Sequence, residues 1–472
     1  MPFATHPRSE TLRSLADASP VPFWLDDPAR PDVCPTLTAD TRADLVIVGT
    51  GFTGLWTALL AKETDPAREI VVLEADECAS GATGRNGGFV SASLTHGLEN
   101  GHRRWPREMP MLLKLGHANL DAIGEAVARY AIDCDYLRSG ELLVATELYQ
   151  IETLQAALKL ATMYGEDWQW LDAAQTRALI DSPTYLGALR MMSGIALANP
   201  ARLAWGLRQA CLDLGVRFYE RTPVTALNVD GPFVRVRTPY ADVRTACVAL
   251  ATNAYPPLLK RLNHYIVPVY DYVLVTEPLS AEQRNSIGWQ ARSGVSDSAN
   301  QFHYYRTTAD GRILWGGYDA VYYRNNGFGP QFDRNAGSFG RLAEHFFQTF
   351  PQLRGVRFTH AYGGAIDTCS RFSAFWGTAH GGRTAYAVGY TGLGVGAARF
   401  GAQVLLDLLD AKDTERTRLA MVRSKPWPFP PEPFRSLVIN FTRRSLDRAD
   451  RHDGQRDLWL RALDRLGLGF DS

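Results

Sequence analysis

The sequence lacks most features that would assign it at once to a specialised class of protein. Its 472 residues contain 50 Lys and Arg against 50 Asp and Glu, so no net charge attracts nucleic acid. The six cysteines are scattered without a C-x-x-C pair, which removes the usual signal for zinc, redox dithiols or a secreted disulfide framework. The N-terminal segment carries charges and no apolar core, unlike a secretory signal. We therefore expect a cytoplasmic globular protein without a metal site.

One uncharged run, residues 45–61, approaches transmembrane length. Its sequence, LVIVGTGFTGLWTALLA, has three glycines in the middle and changes from a β-branched run to a helical pattern after Gly54. This pattern favours a buried strand, a turn and a buried helix over a membrane span. No transmembrane segment is predicted.

Residues 49–54, GTGFTG, fit the G-x-G-x-x-G pattern of dinucleotide-binding turns. The turn follows a predicted strand and opens a predicted helix, and Glu74 ends the next strand about 20 residues later. Gly49 would allow the tight turn, Gly51 a close approach to a pyrophosphate, and Gly54 close helix packing. Glu74 can accept hydrogen bonds from a ribose. The alternative is a Gly-rich turn beside a structural glutamate, and the motif alone does not separate NAD from FAD.

Two further segments are rich in small residues. The loop 79–90 carries Arg85 and Asn86 and would let the backbone pass against a flat ring system, although its composition also suits a surface loop. The turn 389–396, GYTGLGVG, precedes an apolar helix whose N-terminus could face an anionic ring edge. Two Gly-rich turns that each lead into a helix, at residues 49–54 and 389–396, favour an extended cofactor that is bound at both of its ends.

The order of predicted elements indicates an α/β fold with an α+β second domain. Residues 105–180 are predicted to be largely helical, residues 216–252 to form short strands, and residues 337–350 to return to helix. Sequence patterns typical of an α/β nucleotide-binding domain occur near both ends of the chain, and the segments between them have different patterns. We therefore predict a Rossmann-like domain built from discontinuous segments, with a mixed-sheet domain inserted between them. The predicted divisions are an extended arm (1–42), a cofactor-binding domain (43–104, 190–255 and 372–420), a substrate domain (105–189 and 256–371) and a C-terminal extension (421–472).

The C-terminal extension starts with a Pro-rich hinge and ends in an amphipathic segment through Trp459, Leu463 and Phe470. Arginines and aspartates alternate in this segment, so their fields nearly cancel. We expect a solvated helix packed on the body or on a second subunit, rather than a basic binding tail.

In combination, these motifs make the chain resemble FAD-dependent oxidoreductases of the D-amino-acid oxidase, glycine oxidase and sarcosine oxidase type. Within that family it is most similar to bacterial γ-glutamylputrescine oxidase-like members. The resemblance runs from about residue 20 to about residue 410. The segments that carry it are ADLVIVGTGFTGLWTAL, ECASGATGRNGGFV, TPVTAL with CVALATNAY, VPVYDYVLVTEPL with YYRTTADGRILWGG, and GYTGLGVGAARFG.

The resemblance implies FAD as the cofactor and assigns residues to it. The pyrophosphate would lie at the first glycine turn, the ribose at Glu74, the flavin along residues 85–88, and the adenine beside the Val224 backbone. The full set of implied cofactor-binding residues is Gly49, Gly51, Phe52, Thr53, Gly54, Glu74, Ala75, Thr83, Gly84, Arg85, Asn86, Gly87, Gly88, Val224, Thr252, Gly389, Thr391, Gly392, Leu393, Gly394 and Val395.

The family also implies a substrate cavity roofed by the inserted sheet. Its candidate lining residues are Tyr270, Tyr272, Tyr304, Tyr305, Arg306 and Asp367. For each tyrosine taken singly, ordinary packing within the sheet is the alternative. Amino-acid-oxidising members place a carboxylate-binding arginine early in the stretch 363–371, where this chain has Asp367. Arg371 and Arg306 remain alternatives for that role. Some members bind flavin covalently through a cysteine near Cys369, but we expect non-covalent FAD and a buried structural thiol.

The predicted function is oxidation of a primary or secondary amine resembling γ-glutamylputrescine. Hydride transfer to flavin would give an imine that hydrolyses to an aldehyde, and O2 or another acceptor would reoxidise the flavin. No general base is assigned, since the cofactor carries the hard step. One alternative is a glycine- or sarcosine-type amino-acid oxidase or dehydrogenase. A second is a non-catalytic flavin-binding subunit that assembles through its C-terminal tail.

Overall fold

The computed structural model describes residue 3 and residues 6–465. The predicted N-terminal arm and C-terminal extension both include positions outside the described residues, among them Phe470. The described strands are β1 (Thr41–Val48), β2 (Ile70–Leu73), β3 (Phe89–Ser91), β4 (Glu141–Ala145), β5 (Trp168–Asp172), β6 (Gly187–Met191), β7 (Ile195–Leu197), β8 (Arg217–Tyr219), β9 (Ala226–Asp230), β10 (Phe233–Arg237), β11 (Asp242–Leu250), β12 (Val267–Thr276), β13 (Gly294–Asp297), β14 (His303–Thr307), β15 (Ile313–Gly317), β16 (Val321–Tyr322), β17 (Phe358–Thr368), β18 (Phe375–Ala379) and β19 (Thr384–Val388).

The helices occupy the connections between strands and the C-terminal region. They are α1 (Ser9–Arg13), α2 (Phe52–Thr64), α3 (Leu98–Arg104), α4 (Met109–Arg129), α5 (Leu148–Met163), α6 (Ala173–Leu179), α7 (Pro200–Asp213), α8 (Ala281–Ile287), α9 (Ala336–Thr349), α10 (Gly394–Leu409), α11 (Glu415–Arg418), α12 (Ala420–Arg423), α13 (Phe434–Asp450) and α14 (Leu458–Arg465). Among the described residues, no helix combines the length and the apolar composition needed to cross a bilayer.

The first sheet has the strand order β18-β19-β11-β1-β2-β8, with β10 and β9 continuing from β11. The central strands β19, β11, β1, β2 and β8 pair in parallel. Residues 45–48 of β1 and all of β2 are buried, as expected for parallel strands covered on both faces. Helices α2, α7 and α10 pack together beside this sheet. The predicted strand, turn and buried helix at residues 45–61 are therefore confirmed.

The second sheet has the strand order β16-β12-β15-β14-β13-β4-β6-β5, and β17 pairs with β12. It is mixed, because β13 and β4 are parallel while the other described pairs are antiparallel. Its strands lie between the chain segments that form the first sheet, which confirms the predicted fold class. Helix α9 packs on one face of it.

Two details of the sequence analysis need correction. Residues 105–180 are less helical than predicted, because β4 and β5 of the second sheet alternate with α4, α5 and α6. The predicted boundary between residues 189 and 190 cuts through β6, whose five residues pair with β4 and β5. Short amphipathic strands between helices carry too few residues for their period to be recognised. The remaining domain boundaries stay predictions.

The N-terminal arm is docked on the body of the protein. The Trp24 indole is buried and donates a 2.8 Å hydrogen bond from Nε1 to the Asn86 carbonyl oxygen. Helix α1, within the predicted extended arm, packs against α9. The arm therefore supports the small-residue loop from outside.

Candidate active site

The two sheets face one large cavity with a volume of about 910 Å³. This volume lies at the upper end of the range for ligand pockets. The cavity is bounded by the turn after β1, the loops after β2 and β11, the start of α10, and one face of the second sheet. A cavity of this size can hold an extended cofactor together with a substrate.

The turn after β1 is a close-packed glycine turn that leads into α2. Gly49 has a φ of 105°, a conformation that favours glycine, and a Cβ there would lie 2.6 Å from the Ala251 carbonyl oxygen. Gly51 lines the cavity and is the N-cap residue of α2. A Cβ on Gly54 would collide with the Gly49 carbonyl oxygen, so Gly54 serves helix packing and does not line the cavity. The α2 N-terminus thus presents backbone N–H groups where a phosphate would be stabilised.

Glu74 follows β2 directly and lines the same part of the cavity. Its Oε2 accepts hydrogen bonds from the Thr50 backbone nitrogen at 2.8 Å and from Thr50 Oγ1 at 2.7 Å. Its Oε1 accepts a hydrogen bond from the Asp76 backbone nitrogen at 3.0 Å. Burial raises the pKa of this carboxyl, although these hydrogen bonds oppose the rise. A carboxylate has further lone pairs, so Glu74 keeps acceptor capacity for ribose hydroxyls. Ala75, Val224 and Thr252 line the cavity nearby.

The small-residue loop after β2 is held by its own polar groups. Arg85 Nη1 donates to Asp333 Oδ2 at 2.7 Å and to the Gly363 carbonyl oxygen at 2.9 Å, which ties the loop to the second sheet. Asn86 Nδ2 donates to the Thr83 carbonyl oxygen at 2.7 Å. The cavity-lining members of the predicted set in this loop are Thr83, Arg85, Asn86 and Gly87.

Three predicted cofactor residues lie behind the cavity wall. A Cβ on Gly84 would lie 2.5 Å from the Ala79 carbonyl oxygen, and a Cβ on Gly88 would collide with the Ala198 carbonyl oxygen. Gly389 likewise does not line the cavity. Gly84 and Gly88 are needed for close backbone packing, and Gly389 has a φ of 80° and lies against the Phe375 ring. These requirements resemble a ligand-contact signal in sequence.

Asp367, at the end of β17, supports the second Gly-rich turn. Its Oδ2 accepts a 2.5 Å hydrogen bond from the Gly389 backbone nitrogen, and the amides of Tyr390 and Thr391 also stabilise the carboxylate. Burial nevertheless raises the pKa of Asp367 to about 7. The side chain lines the cavity, but its acceptor atoms serve this turn. Asp367 therefore lines the cavity as predicted, while its Oδ2 atom is engaged by the turn.

The turn that Asp367 supports leads into α10, which begins at Gly394. Its cavity-lining residues are Thr391, Gly392, Leu393, Gly394 and Val395. A Cβ on Gly392 would meet no heavy atom of the described residues within 4 Å. The backbone here faces open cavity space.

Strand β12 places an acid on the cavity floor. Val269, Asp271 and Val273 point into the cavity, whereas Tyr270 and Tyr272 point to the opposite face. Successive side chains of a strand alternate between faces, so both tyrosines share one side. The prediction that Tyr270 and Tyr272 line the cavity is wrong, and the residue between them was missed.

Strand β14 repeats this alternation. Tyr304 lines the cavity, while Tyr305 points to the other face and its hydroxyl lies 2.7 Å from that of Tyr185. His303 also faces away, as its alternation with Tyr304 predicts. Arg306 is fully buried beyond the cavity, where Nη1 donates to the Ala198 carbonyl oxygen at 2.8 Å. Of the six predicted substrate-cavity residues, Tyr304 and Asp367 line the cavity and the other four do not.

Tyr304 and Asp271 form a hydrogen-bonded pair on the cavity floor. The Tyr304 hydroxyl donates to Asp271 Oδ2 at 2.6 Å. Tyr304 crosses β15 above Gly316, where a Cβ would lie 2.6 Å from the hydroxyl oxygen. On its other side it contacts Gly87, where a Cβ would lie 2.8 Å from the ring. Burial raises the pKa of Asp271 to about 6, so the acid is largely ionised at neutral pH.

A second acid on the cavity wall was also missed. Glu141, at the start of β4, accepts a 2.5 Å hydrogen bond on Oε1 from Ser296 Oγ of β13. Burial raises the pKa of Glu141 to about 7. A lone acid at the start of the run ELLVA was the available signal in the sequence.

His96, His117 and Glu166 also line the cavity, and no sequence motif marks any of them. His96 lies in the left-handed region with a φ of 60°, and burial lowers its pKa, which favours a neutral imidazole. His117 Nε2 lies 2.9 Å from Glu166 Oε1, and this partner raises the pKa of His117. All three belong to long loops or helices, where contacts depend on the tertiary fold.

Cys369 is fully buried and does not line the cavity. Its thiol donates to the Ser373 carbonyl oxygen at 3.2 Å and to the Gly389 carbonyl oxygen at 3.4 Å. Burial raises its pKa, which disfavours the reactive thiolate. Arg371 is buried as well and donates to Ser373 and Ser424 rather than into the cavity.

The C-terminal extension contributes to the cavity. Thr442, Arg443 and Leu446 of α13 line it, together with residues 427–430 of the Pro-rich hinge. Asp450, at the end of α13, accepts hydrogen bonds from the backbone nitrogens of Asn300 at 3.0 Å and Gln301 at 3.1 Å. Helix α13 thus packs on the body, which is one of the two locations predicted for the amphipathic segment.

Comparison with known proteins places these features in a family. The family described as FAD dependent oxidoreductase (DAO) matches residues 44–408. The gamma-glutamylputrescine oxidoreductase of Escherichia coli (strain K12) is 33% identical over 421 residues, which cover 86% of this chain and 92% of that protein. A probable oxidoreductase OrdL of Haemophilus influenzae is 27% identical over 390 residues, or 80% and 85% of the two chains.

The fold has solved counterparts as well. The crystal structure of glycine oxidase from Geobacillus kaustophilus matches with a TM-score of 0.66 at 20% identity, over 79% of this chain and 96% of that one. At this identity the match shows a shared fold. Helix α13, which borders the cavity, lies beyond the residues matched by the family.

Proposed function

Because this chain belongs to the DAO family of FAD-dependent oxidoreductases, we propose that it oxidises a primary or secondary amine resembling γ-glutamylputrescine. The imine product would hydrolyse to an aldehyde, and O2 or another acceptor would reoxidise the cofactor. The relative that is 33% identical supports this substrate class by its name. The observation that carries the proposal is the presence of two acids, Asp271 and Glu141, on the part of the cavity wall formed by the second sheet.

The arginines of the site support an amine over an amino acid. Arg85 pairs with Asp333, while Arg306 and Arg371 donate to protein oxygens outside the cavity. The other cavity-lining arginine, Arg443, comes from α13 rather than from the second sheet. The floor therefore offers anionic acceptors to an ammonium group and no arginine to a carboxylate.

We propose that FAD binds without a covalent link. The Gly51 turn and the α2 N-terminus would hold the pyrophosphate, Glu74 the ribose, and residues 391–395 the pyrimidine end of the flavin. The glycine cradle supports this fit, because a Cβ on Gly51 would lie only 3.0 Å from Thr83 Oγ1 and would narrow the space for a phosphate. The buried, bonded thiol of Cys369 supports a non-covalent complex.

In this proposal the chain prepares the amine for oxidation. When bound, FAD supplies the acceptor for the hydride equivalent lost from the carbon that bears nitrogen. The Asp271 carboxylate attracts the ammonium end, and the Tyr304 hydroxyl holds that carboxylate in place at Oδ2. Val269 and Val273 beside it exclude water, and a dry site favours the neutral amine whose lone pair must be free. The Asp271 carboxylate would take the proton that the ammonium group loses.

A substrate panel under air tests this function. Aldehyde release is measured with γ-glutamylputrescine, putrescine, glycine and sarcosine as separate substrates. We expect kcat/KM to be highest for γ-glutamylputrescine. Faster turnover of glycine or sarcosine would instead establish an amino-acid oxidase and overturn the proposal.

A further inference from the structure

Glu141 is a buried carboxyl group that faces the cavity with little protein support. Its side chain belongs to a residue that is 9% exposed and lines the cavity. Within the described part of the chain, the Glu141 carboxyl group accepts one side-chain hydrogen bond, from Ser296 Oγ, and no Lys or Arg forms an ion pair with it. A buried carboxylate without a cation is costly. A ligand cation would remove that cost.

The position of Glu141 relative to Asp271 follows from the strand register. Five neighbouring strands of the second sheet each contribute one residue to a row that crosses the sheet. The strands pair in the order β12, β15, β14, β13 and β4. The row runs through Val273, Gly316, Tyr304, Ser296 and Leu143. All of its side chains face the cavity or, at Gly316, leave space for Tyr304.

The two acids attach to this row at different points. Asp271 bonds to the Tyr304 hydroxyl above Gly316, and Glu141 bonds to Ser296 two strands away. Adjacent strands lie about 4.8 Å apart, so these points are roughly 10 Å apart. Each carboxylate lies one hydrogen bond further out than its attachment point, by 2.6 Å for Asp271 and 2.5 Å for Glu141, so the two carboxylates are further apart than the two points. We take the separation to be about 10–15 Å.

We infer that Glu141 and Ser296 form a second ammonium subsite, which selects amines with another ammonium group about 12 Å from the reacting nitrogen. This inference rests on the proposed amine oxidation. In γ-glutamylputrescine, about ten bonds separate the terminal amine from the α-ammonium, and an extended chain gains roughly 1.2 Å per bond. The Asp271 end would hold the reacting amine, and the Glu141 end would hold the α-ammonium.

The test uses two substrates that differ only in the distal ammonium. They are γ-glutamylputrescine and N-glutarylputrescine, which lacks the α-amino group. For the wild type we expect kcat/KM to favour γ-glutamylputrescine by about 10- to 100-fold, mainly through KM, because a charge-assisted hydrogen bond is lost. Glu141→Gln should reduce this ratio nearly to one. Glu152→Gln is a matched control, because Glu152 is exposed, and this variant should keep the wild-type ratio of the two kcat/KM values.

A binding measurement separates this subsite from the proposed chemistry. γ-Glutamylbutylamide and N-glutarylbutylamide lack the reacting amine, so calorimetric titration of the FAD-loaded protein reports on the distal subsite alone. Tighter binding of the γ-glutamyl compound to the wild type, lost in Glu141→Gln, supports the subsite even if no amine is oxidised. Equal binding of both compounds by the wild type, or an unchanged preference in Glu141→Gln with full FAD content, overturns it.

Discussion

The Tyr304 hydroxyl donates a 2.6 Å hydrogen bond to the Asp271 carboxylate across the backbone of Gly316. Asp271 and Tyr304 come from β12 and β14, which are separated by β15 in the second sheet. A side chain at residue 316 would occupy the space that the phenol ring fills. The pair therefore depends on a glycine in the intervening strand, and it fixes an ionisable acid on the cavity floor.

Tyr304→Phe should move the acid limb of the pH profile. The pKa of Asp271 is about 6, and the phenol hydrogen bond holds it below the value that burial alone would give. Losing that bond raises the pKa, so kcat/KM for the amine should begin to rise about one pH unit higher. The control is Tyr305→Phe, on the opposite face of β14. An acid limb at the same pH in Tyr304→Phe would contradict the pairing.

Gly51→Val should abolish retention of FAD. The added side chain would start 3.0 Å from Thr83 Oγ1 and fill the turn where the pyrophosphate is proposed to bind. The flavin-to-protein ratio after purification measures the effect. Gly337→Val, in the exposed first turn of α9, makes the same change outside the cavity and should keep flavin. Stoichiometric flavin in Gly51→Val would place the phosphate site elsewhere.

Glu141→Gln should change how stability depends on pH. The folded pKa of Glu141 is about 7 and its ordinary value is 4.5, so the folded state keeps a proton that the unfolded state has lost. The stability that wild-type Glu141 contributes relative to Gln is present below pH 4.5 and is lost as pH rises through about 7.

Urea unfolding from pH 4.5 to 8 measures this difference between wild type and Glu141→Gln. A pKa of about 7 against 4.5 corresponds to a decrease of roughly 3 kcal/mol in the wild-type unfolding free energy relative to the variant. Glu152→Gln, at an exposed position, should show no such trend. A difference independent of pH would mean that Glu141 is more hydrated than its burial indicates.

Acid precipitation should release all flavin from the wild-type protein. Cys369 donates its thiol hydrogen to protein carbonyls and lies outside the cavity lining, so it has no path to the flavin. Flavin absorbance in the supernatant measures release. A yellow pellet that becomes colourless in Cys369→Ser would instead demonstrate a thioether link.

Asp450→Ala should weaken substrate binding by loosening α13. The Asp450 carboxylate accepts hydrogen bonds from the backbone and side chain of Asn300 and from the Gln301 backbone, and removing it leaves those donors without this acceptor. We expect KM to rise several-fold with flavin content unchanged. Asp447→Ala, which removes a surface ion pair with Arg451 on the same helix, is the control. Equal KM values would show that α13 is held by other contacts.

Local signals made the cofactor half of the site predictable. The Gly49–Gly54 turn, its buried strand and Glu74 lie within one short segment, so spacing alone relates them. Seventeen of the predicted cofactor residues line the cavity, and the exceptions are Gly54, Gly84, Gly88 and Gly389, where a side chain would collide with neighbouring protein atoms. The roles of these residues toward FAD stay predictions.

The substrate half was less predictable because it depends on strand orientation and register. In the run VYDYV, residues 269–273, successive side chains point to opposite faces of the sheet. The sequence does not show whether the two tyrosines or the aspartate face the cavity. Tyr270 and Tyr272 were chosen for their chemistry, whereas Asp271 shares its face with Val269 and Val273. The partnership of Glu141 with Ser296 joins residues 155 apart in the chain, a contact that no local pattern encodes.

The most direct test of the account is anaerobic reduction of the purified FAD-loaded protein by γ-glutamylputrescine. We predict that the flavin absorbance bleaches completely with about one equivalent of amine per flavin, because amine oxidation and flavin reduction both transfer two electrons. Bleaching should be faster than with glycine or sarcosine. A flavin that stays oxidised with every amine in the panel, or that is reduced only by amino acids, would contradict the account.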